Sequence, residues 1–191
     1  IQGKDYEVGI KGEYLDGALQ ASRGVFKIVQ DKLGIDTGKI NPATNAKIYE
    51  SGKGVTSRGV ELDLNGEITK NLSLSFGATH FNAKDANGEK YATDSSRSTA
   101  NLFAKYEFRD FRVGAGAMYK SKIYTGKGAS EITQKGYTLA NLMFGYKFGQ
   151  NFDVQLTIDN LFNKHYYEGI GKNMMVYGDP RTFTLRFNYK F

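Results

Sequence analysis

The last ten residues constrain this chain more than any other stretch. From Thr182 to Phe191, the apolar residues Phe183, Leu185, Phe187, Tyr189 and Phe191 alternate with Thr182, Thr184, Arg186, Asn188 and Lys190. A period of two marks a β-strand with one apolar and one polar face. The same alternation recurs upstream. It sets Tyr6, Val8 and Ile10 against Glu7 and Lys11, and Leu72, Leu74 and Phe76 against Ser73 and Ser75. It returns around Val60–Ile68, Leu102–Phe108, Phe111–Tyr119, Leu142–Phe148 and Phe152–Ile158. Residues 19–29 fit less cleanly, because Arg23 and Lys27 blur the two faces. About nine strands of roughly 9–14 residues result, the length a tilted strand needs to cross a bilayer.

The connections alternate as well. Tight ones fall at Leu15-Asp16-Gly17, Thr69-Lys70-Asn71, Arg109-Asp110 and Gly149-Gln150-Asn151, built from residues that tolerate positive φ. Long ones fall between them, at residues 31–54, 84–96, 124–134 and 161–180. Tight turns at one end and long loops at the other is the layout of outer-membrane barrels. With the C-terminus on the periplasmic side, all of these long loops face outward.

Composition agrees with that layout. A mean hydropathy of -0.49 and the lack of an apolar run of about 18 residues exclude a membrane helix. They do not exclude membrane strands, whose lumen face is polar. The chain of 191 residues has no Cys, so it has no disulfide framework and no thiolate metal site. Its net charge of +6 is spread along the chain, which argues against nucleic acid and fits lipopolysaccharide or an anionic ligand. A soluble β-sandwich also alternates, but seldom through successive strands this long. The expected fold is therefore all-β, an antiparallel transmembrane β-barrel. Nine strands would leave two unpaired edges in lipid, whereas single-chain bacterial barrels close on an even number. The chain also starts at Ile1 without Met or signal segment. Residues 1–191 are thus expected to be part of a larger barrel; a small complete barrel of about eight or ten strands, acting as a passive pore or adhesin, is the alternative.

Asp159-Asn160-Leu161-Phe162-Asn163-Lys164-His165-Tyr166-Tyr167-Glu168, followed by Tyr177-Gly178-Asp179-Pro180-Arg181 and the final strand, resembles the C-terminus of TonB-dependent outer-membrane receptors. Gly9-Ile10-Lys11-Gly12-Glu13-Tyr14-Leu15-Asp16-Gly17 is similar to a segment of the siderophore receptors in that family, of hydroxamate and pyoverdine types. The resemblance implies a 22-stranded barrel of which residues 1–191 form the C-terminal part, with the plug domain and earlier strands absent. It implies active uptake of a ferric siderophore across the outer membrane of a Gram-negative bacterium, energised through TonB by way of the missing N-terminal region. It also implies that Phe191 serves as the signal to the barrel assembly machinery.

For ligand binding, Tyr91, Tyr124, Tyr166, Tyr167 and Tyr177 fall in or beside the outward loops, where a flat ring with one hydroxyl suits an apolar chelator backbone. Each has a rival reading as a membrane-edge aromatic. Tyr106, Phe108, Phe148, Tyr189 and Phe191 read more plainly as such a girdle. Arg97, Lys127, Lys164 and Lys172 could steer an anionic ferric complex, although loop charges are usually just solvated. Arg181 could bind a carboxylate or lipid phosphate, or pair with Asp159 or Asp179. Gly114, Gly116 and Gly145 are expected on the lumen face, leaving room for a plug. A catalytic reading, an outer-membrane hydrolase, has only His80 and His165 as candidate bases, with no nucleophile motif beside either. No protein metal site or cofactor is expected, and iron would arrive inside its chelator.

Overall fold

The computed structural model describes residues 2–31, 33–52, 54–171 and 174–191, and Lys172 lies outside them. Among the described residues the strands are β1 (Gln2–Tyr14), β2 (Leu19–Asp31), β3 (Leu33–Ile40), β4 (Lys47–Gly52), β5 (Val55–Thr69), β6 (Leu72–Lys84), β7 (Ser98–Phe108) and β8 (Phe111–Lys120). They continue with β9 (Ile123–Thr125), β10 (Ile132–Gln134), β11 (Tyr137–Phe148), β12 (Phe152–Asp159), β13 (Tyr167–Ile170), β14 (Met175–Tyr177) and β15 (Thr182–Tyr189). One nine-stranded sheet runs β1-β2-β5-β6-β7-β8-β11-β12-β15, an antiparallel meander in chain order. The pairs β3–β4, β9–β10 and β13–β14 are separate hairpins inside the long loops.

The register gathers the alternating apolar residues onto one continuous face. Val25 lies opposite Val8 and Val60, and Phe76 opposite Leu64 and Leu102. Phe144 lies opposite Val113 and Leu156, and Leu156 opposite Leu185. This face is open: Val8 and Ile10 are each 75% exposed and Leu185 56%. An apolar surface of this extent would aggregate in water, and lipid is the solvent that suits it.

At the end of the sheet that carries the tight turns, the same face bears a belt of rings. Phe111–Tyr146 and Tyr146–Phe148 centroids are each 4.6 Å apart, Phe148–Phe152 5.6 Å and Phe152–Phe187 6.2 Å. Tyr189 and Phe191 extend it at 5.1 Å. This is where an interfacial girdle belongs, and Tyr106 and Phe108 share the face. The opposite face is polar. Arg112 pairs with Asp153 there, Ser75 donates to Asn65 at 2.6 Å, and Lys105 pairs with Glu107 at 3.0 Å.

The tight turns fall where the sequence placed them. Leu15 and Asp16 both take φ 55° and Arg109 φ 53°. Asn71 and Asn151 fasten their turns to the next strand, donating through Nδ2 to the carbonyls of Glu107 at 2.6 Å and Lys190 at 2.7 Å.

The structure departs from the sequence reading in three respects. β1, β2 and β5 run further outward than the apolar alternation, because a backbone ladder continues past the lipid, where polar side chains cost nothing. Arg23 and Lys27 do not blur the faces; both lie in register on the exterior, opposite Ile10 and Tyr6. The space beside the lumen glycines is not open. A Cβ on Gly114 would lie 2.7 Å from the Phe103 ring, one on Gly116 3.2 Å from it, and one on Gly145 2.8 Å from Arg112 Nε. Their space is already filled by side chains of neighbouring strands.

Candidate functional site

The buried core lies at the outward mouth, away from the middle of the sheet. Tyr137 is 4% exposed, Ile123 4%, Ile170 5% and Leu139 7%. Tyr137 and Leu139 begin β11 on the lumen side, paired with Lys120 and Met118. Two loops, 121–136 and 160–181, close over them. The Gln134 side-chain oxygen accepts the Tyr167 amide at 3.0 Å, and Lys120 reaches Glu168 at 3.9 Å.

Rings fill the junction. Tyr166 packs on Tyr137 with centroids 4.5 Å apart at 36°. Tyr167 packs on Tyr177 at 4.9 Å and 48°, as cross-strand partners of the β13–β14 hairpin. Gly178 lies directly beneath Tyr166, and a Cβ there would be 2.1 Å from the ring. Only glycine allows the Tyr166 ring to sit so close to that backbone. Burial raises the Tyr166 phenol above its ordinary pKa, and hydrogen bonding to Tyr177 raises that of Tyr167.

Two asparagines hold this loop in shape. Asn160, 4% exposed, donates through Nδ2 to the carbonyls of Lys164 at 2.9 Å and Asp179 at 3.0 Å, and its Oδ1 accepts the Lys164 amide at 2.8 Å. Asn163 Oδ1 accepts the Arg181 amide at 2.9 Å. Both take positive φ, 48° and 49°, which asparagine tolerates. The Asn-Leu-Phe-Asn and Gly-Asp-Pro-Arg segments, 18 residues apart at Asn163 and Arg181, are therefore one clipped unit. Arg181 makes no ion pair with Asp159 or Asp179. Its guanidinium lies 5.7 Å from the Phe183 ring centroid and 3.4 Å from the Leu161 carbonyl.

A third loop joins from the side. The Tyr124 amide donates to the Thr93 carbonyl at 2.8 Å, and Lys127 pairs with Glu89 at 3.0 Å. That pairing raises the Lys127 pKa. Arg97 donates to the Tyr91 carbonyl and lies 5.0 Å from the Phe81 centroid. Burial lowers its pKa, and its Nη1 is buried without a partner among the described residues.

Of the residues singled out from sequence, Tyr166, Tyr167 and Tyr177 thus share one cluster. Tyr91, Arg97 and Tyr124 belong to the adjoining pair of loops, with Lys122 Nζ 5.1 Å from the Tyr124 centroid. Tyr137, Gln134, Asn160 and Gly178 were not recognised as parts of this site. Tyr137 lies ahead of the alternation at Leu142–Phe148, and a buried asparagine inside a loop has no periodic signal. His80 Nδ1 is 2.7 Å from Ser98 Oγ, but Nε2 faces Asn82 at 3.4 Å, and among the described residues no carboxylate orients the ring. Among the described residues no three His, Cys, Asp or Glu side chains converge as a metal site would need.

Known proteins share this fold. The TonB dependent receptor-like, beta-barrel family model matches residues 1–161. The ferric-pyoverdine BN7/BN8 receptor of Pseudomonas putida is 31% identical over 100% of this chain and 23% of its own length. The ferripyoverdine receptor of Pseudomonas aeruginosa is 30% identical over 100% of this chain and 25% of its own length. A crystal structure of the Pseudomonas aeruginosa outer-membrane ferripyoverdine receptor, bound to ferripyoverdine, superposes with TM-score 0.88 at 29% identity, covering 99% of this chain and 27% of that one. The chain thus spans about a quarter of the length of the relatives it matches. With its strand order, its lipid-suited face and its clipped outward loops, this chain belongs to the TonB-dependent receptor β-barrel family.

Proposed function

We propose that residues 1–191 are the C-terminal part of the barrel of a receptor that imports a ferric siderophore of the pyoverdine kind, energised through TonB. The family is one of outer-membrane transport receptors, and the sheet sits in the outer membrane of a Gram-negative cell. One observation carries the ligand class: receptors named for ferric pyoverdine align with this chain from end to end, through its outward loops as well as its strands. In this reading a plug domain, from residues outside this chain, closes the barrel and contacts TonB. Iron stays in its chelator, and the chain catalyses nothing itself.

The mouth supplies the recognition surface. Tyr166, Tyr167 and Tyr177 offer ring faces and hydroxyls to the chelator, while Tyr91, Tyr124 and Arg97 line the adjoining loops. Phe191, fully exposed at the end of the aromatic belt, serves as the assembly signal. The test is uptake of radioactive iron as ferric pyoverdine by cells that lack their own pyoverdine receptors and carry the intact receptor. Uptake should appear, and should vanish when TonB is deleted. Uptake that persists without TonB, or iron entry only with a chemically unrelated siderophore, contradicts the proposal.

A further inference from the structure

Among the described residues, the ring pairs of tyrosine with tyrosine are Tyr137–Tyr166 and Tyr167–Tyr177. Both lie at the outward mouth, and they differ in access and in hydrogen bonding. The first pair is the closer, at 4.5 Å between centroids, but Tyr137 is 4% exposed and its hydroxyl has no partner among the described residues. The second pair stands at 4.9 Å, Tyr177 is 76% exposed, and the two hydroxyls are hydrogen-bonded to each other. The register sets Tyr167 directly across from Tyr177. A hydrogen bond between phenols holds their oxygens side by side. It therefore also brings the ring carbons ortho to those hydroxyls toward one another.

The hairpin that carries this pair is lightly held. The Gly171 amide donates to the Met174 carbonyl at 2.7 Å, and the ladder is irregular between Tyr167 and Gly169. Ile170 is buried, whereas Met174, Met175 and Val176 are exposed. A two-stranded hairpin this short is marginal in water by itself, so a covalent link across it would change how often it opens.

We propose that Tyr167 and Tyr177 form a site of oxidative crosslinking, in which a dityrosine bond pins the β13–β14 hairpin. Each phenol gives one electron and one proton to a one-electron oxidant, a peroxidase working on hydrogen peroxide. The two radicals join through their ortho carbons, and the hydrogen on each joined carbon moves to the phenolic oxygen of its own ring. Two tyrosines and one hydrogen peroxide thus give one dityrosine and two waters. The outward placing of the hairpin, where extracellular oxidants reach it, rests on the receptor reading. Proximity alone would favour Tyr137–Tyr166; burial of Tyr137 keeps oxidant from that pair.

The test uses the intact receptor, dilute in a mild neutral detergent, treated with hydrogen peroxide and a soluble haem peroxidase in the absence of siderophore. Dityrosine is read by its fluorescence and located by peptide mass spectrometry as a link that has lost two hydrogens. The Tyr167–Tyr177 link should be the main product. Tyr167→Phe and Tyr177→Phe should each abolish it, whereas Tyr137→Phe should leave its yield unchanged. In the crosslinked receptor the Gly171 amide should exchange on the order of a hundredfold more slowly, because a link across a short loop removes most of its open states. A Tyr137–Tyr166 link as the main product, links only between receptor copies, undiminished dityrosine fluorescence in Tyr177→Phe, or unchanged Gly171 exchange each overturns the proposal. Binding of ferric pyoverdine by the untreated receptor is measured alongside. Its failure indicts only the transport reading, since the crosslink forms and is read without siderophore.

Discussion

Asn160 is the residue on which the outward loop most depends. Replacing it with alanine removes three hydrogen bonds at a position 4% exposed to solvent. Each is worth about 0.5–1.5 kcal/mol net, and more where the abandoned carbonyl or amide stays buried. Alanine at φ 48° adds roughly 1 kcal/mol of backbone strain that asparagine largely avoids. The sum is about 3–5 kcal/mol, felt locally because the sheet below keeps its own ladder. The assay is amide hydrogen exchange on the intact receptor, following the Lys164 amide. Its protection should fall on the order of a hundredfold or more. Asn163→Ala removes a single, exposed bond to the Arg181 amide and puts alanine at φ 49°, so it should cost about 2 kcal/mol, of which the bond is about half. The reasoning is wrong if Lys164 stays protected in Asn160→Ala, or if the Asn163 variant loosens the loop equally.

Gly178→Ala places a methyl 2.1–2.5 Å from the Tyr166 ring. It should displace that ring from Tyr137 at a cost of about 1–3 kcal/mol, seen as altered near-ultraviolet circular dichroism. Leu185→Arg puts a charge at the middle of the lipid face of β15 and should destabilise the folded barrel by about 2–4 kcal/mol in lipid-bilayer unfolding, whereas Thr184→Arg on the lumen face should cost far less. The raised phenols of Tyr166 and Tyr167 favour the packed loop while protonated. That stabilisation is complete below the ordinary tyrosine pKa of about 10 and is lost as pH rises through the higher folded values. Ultraviolet titration should show phenols ionising above that point together with rising exchange in residues 160–181, and ionisation without loosening would count against the packing described.

Much of the wall was legible because a membrane strand writes its surroundings in a period of two. Phe183 to Phe191 alternate because lipid lies on one side and water-accessible lumen on the other. The reading faltered where that contrast fades. Lys27 and Arg58 lie toward the outward ends of β2 and β5, where the strand goes on while the apolar pattern stops. Two of the loop hairpins escape the alternation for a related reason: β9, β10 and β14 are three residues each and β13 four, too short to show periodicity. The glycines misled because their space depends on the opposite strand. Gly114 is small on account of Phe103, which only the register brings against it. At the mouth, the Asn160 segment was noticed as a motif, but its job was invisible, since its partner Asp179 lies 19 residues away.

The wall and the mouth are held by different forces, and that separation has a functional consequence. The exterior face needs only lipid and a backbone ladder, so its residues can vary among apolar types with little effect on the loops. The mouth depends on a few buried polar contacts that link one loop to the next. Thr93 is tied to Tyr124, Gln134 to Tyr167, and Asn160 to Asp179. Under the proposed ligand reading, the tyrosines would not act alone: Tyr166 packs on Tyr137, Tyr167 is bonded to Gln134, and Tyr124 is bonded to Thr93. Loosening any one of these contacts should therefore be felt first in the loop bonded to it, while the backbone ladder of the sheet stays in place.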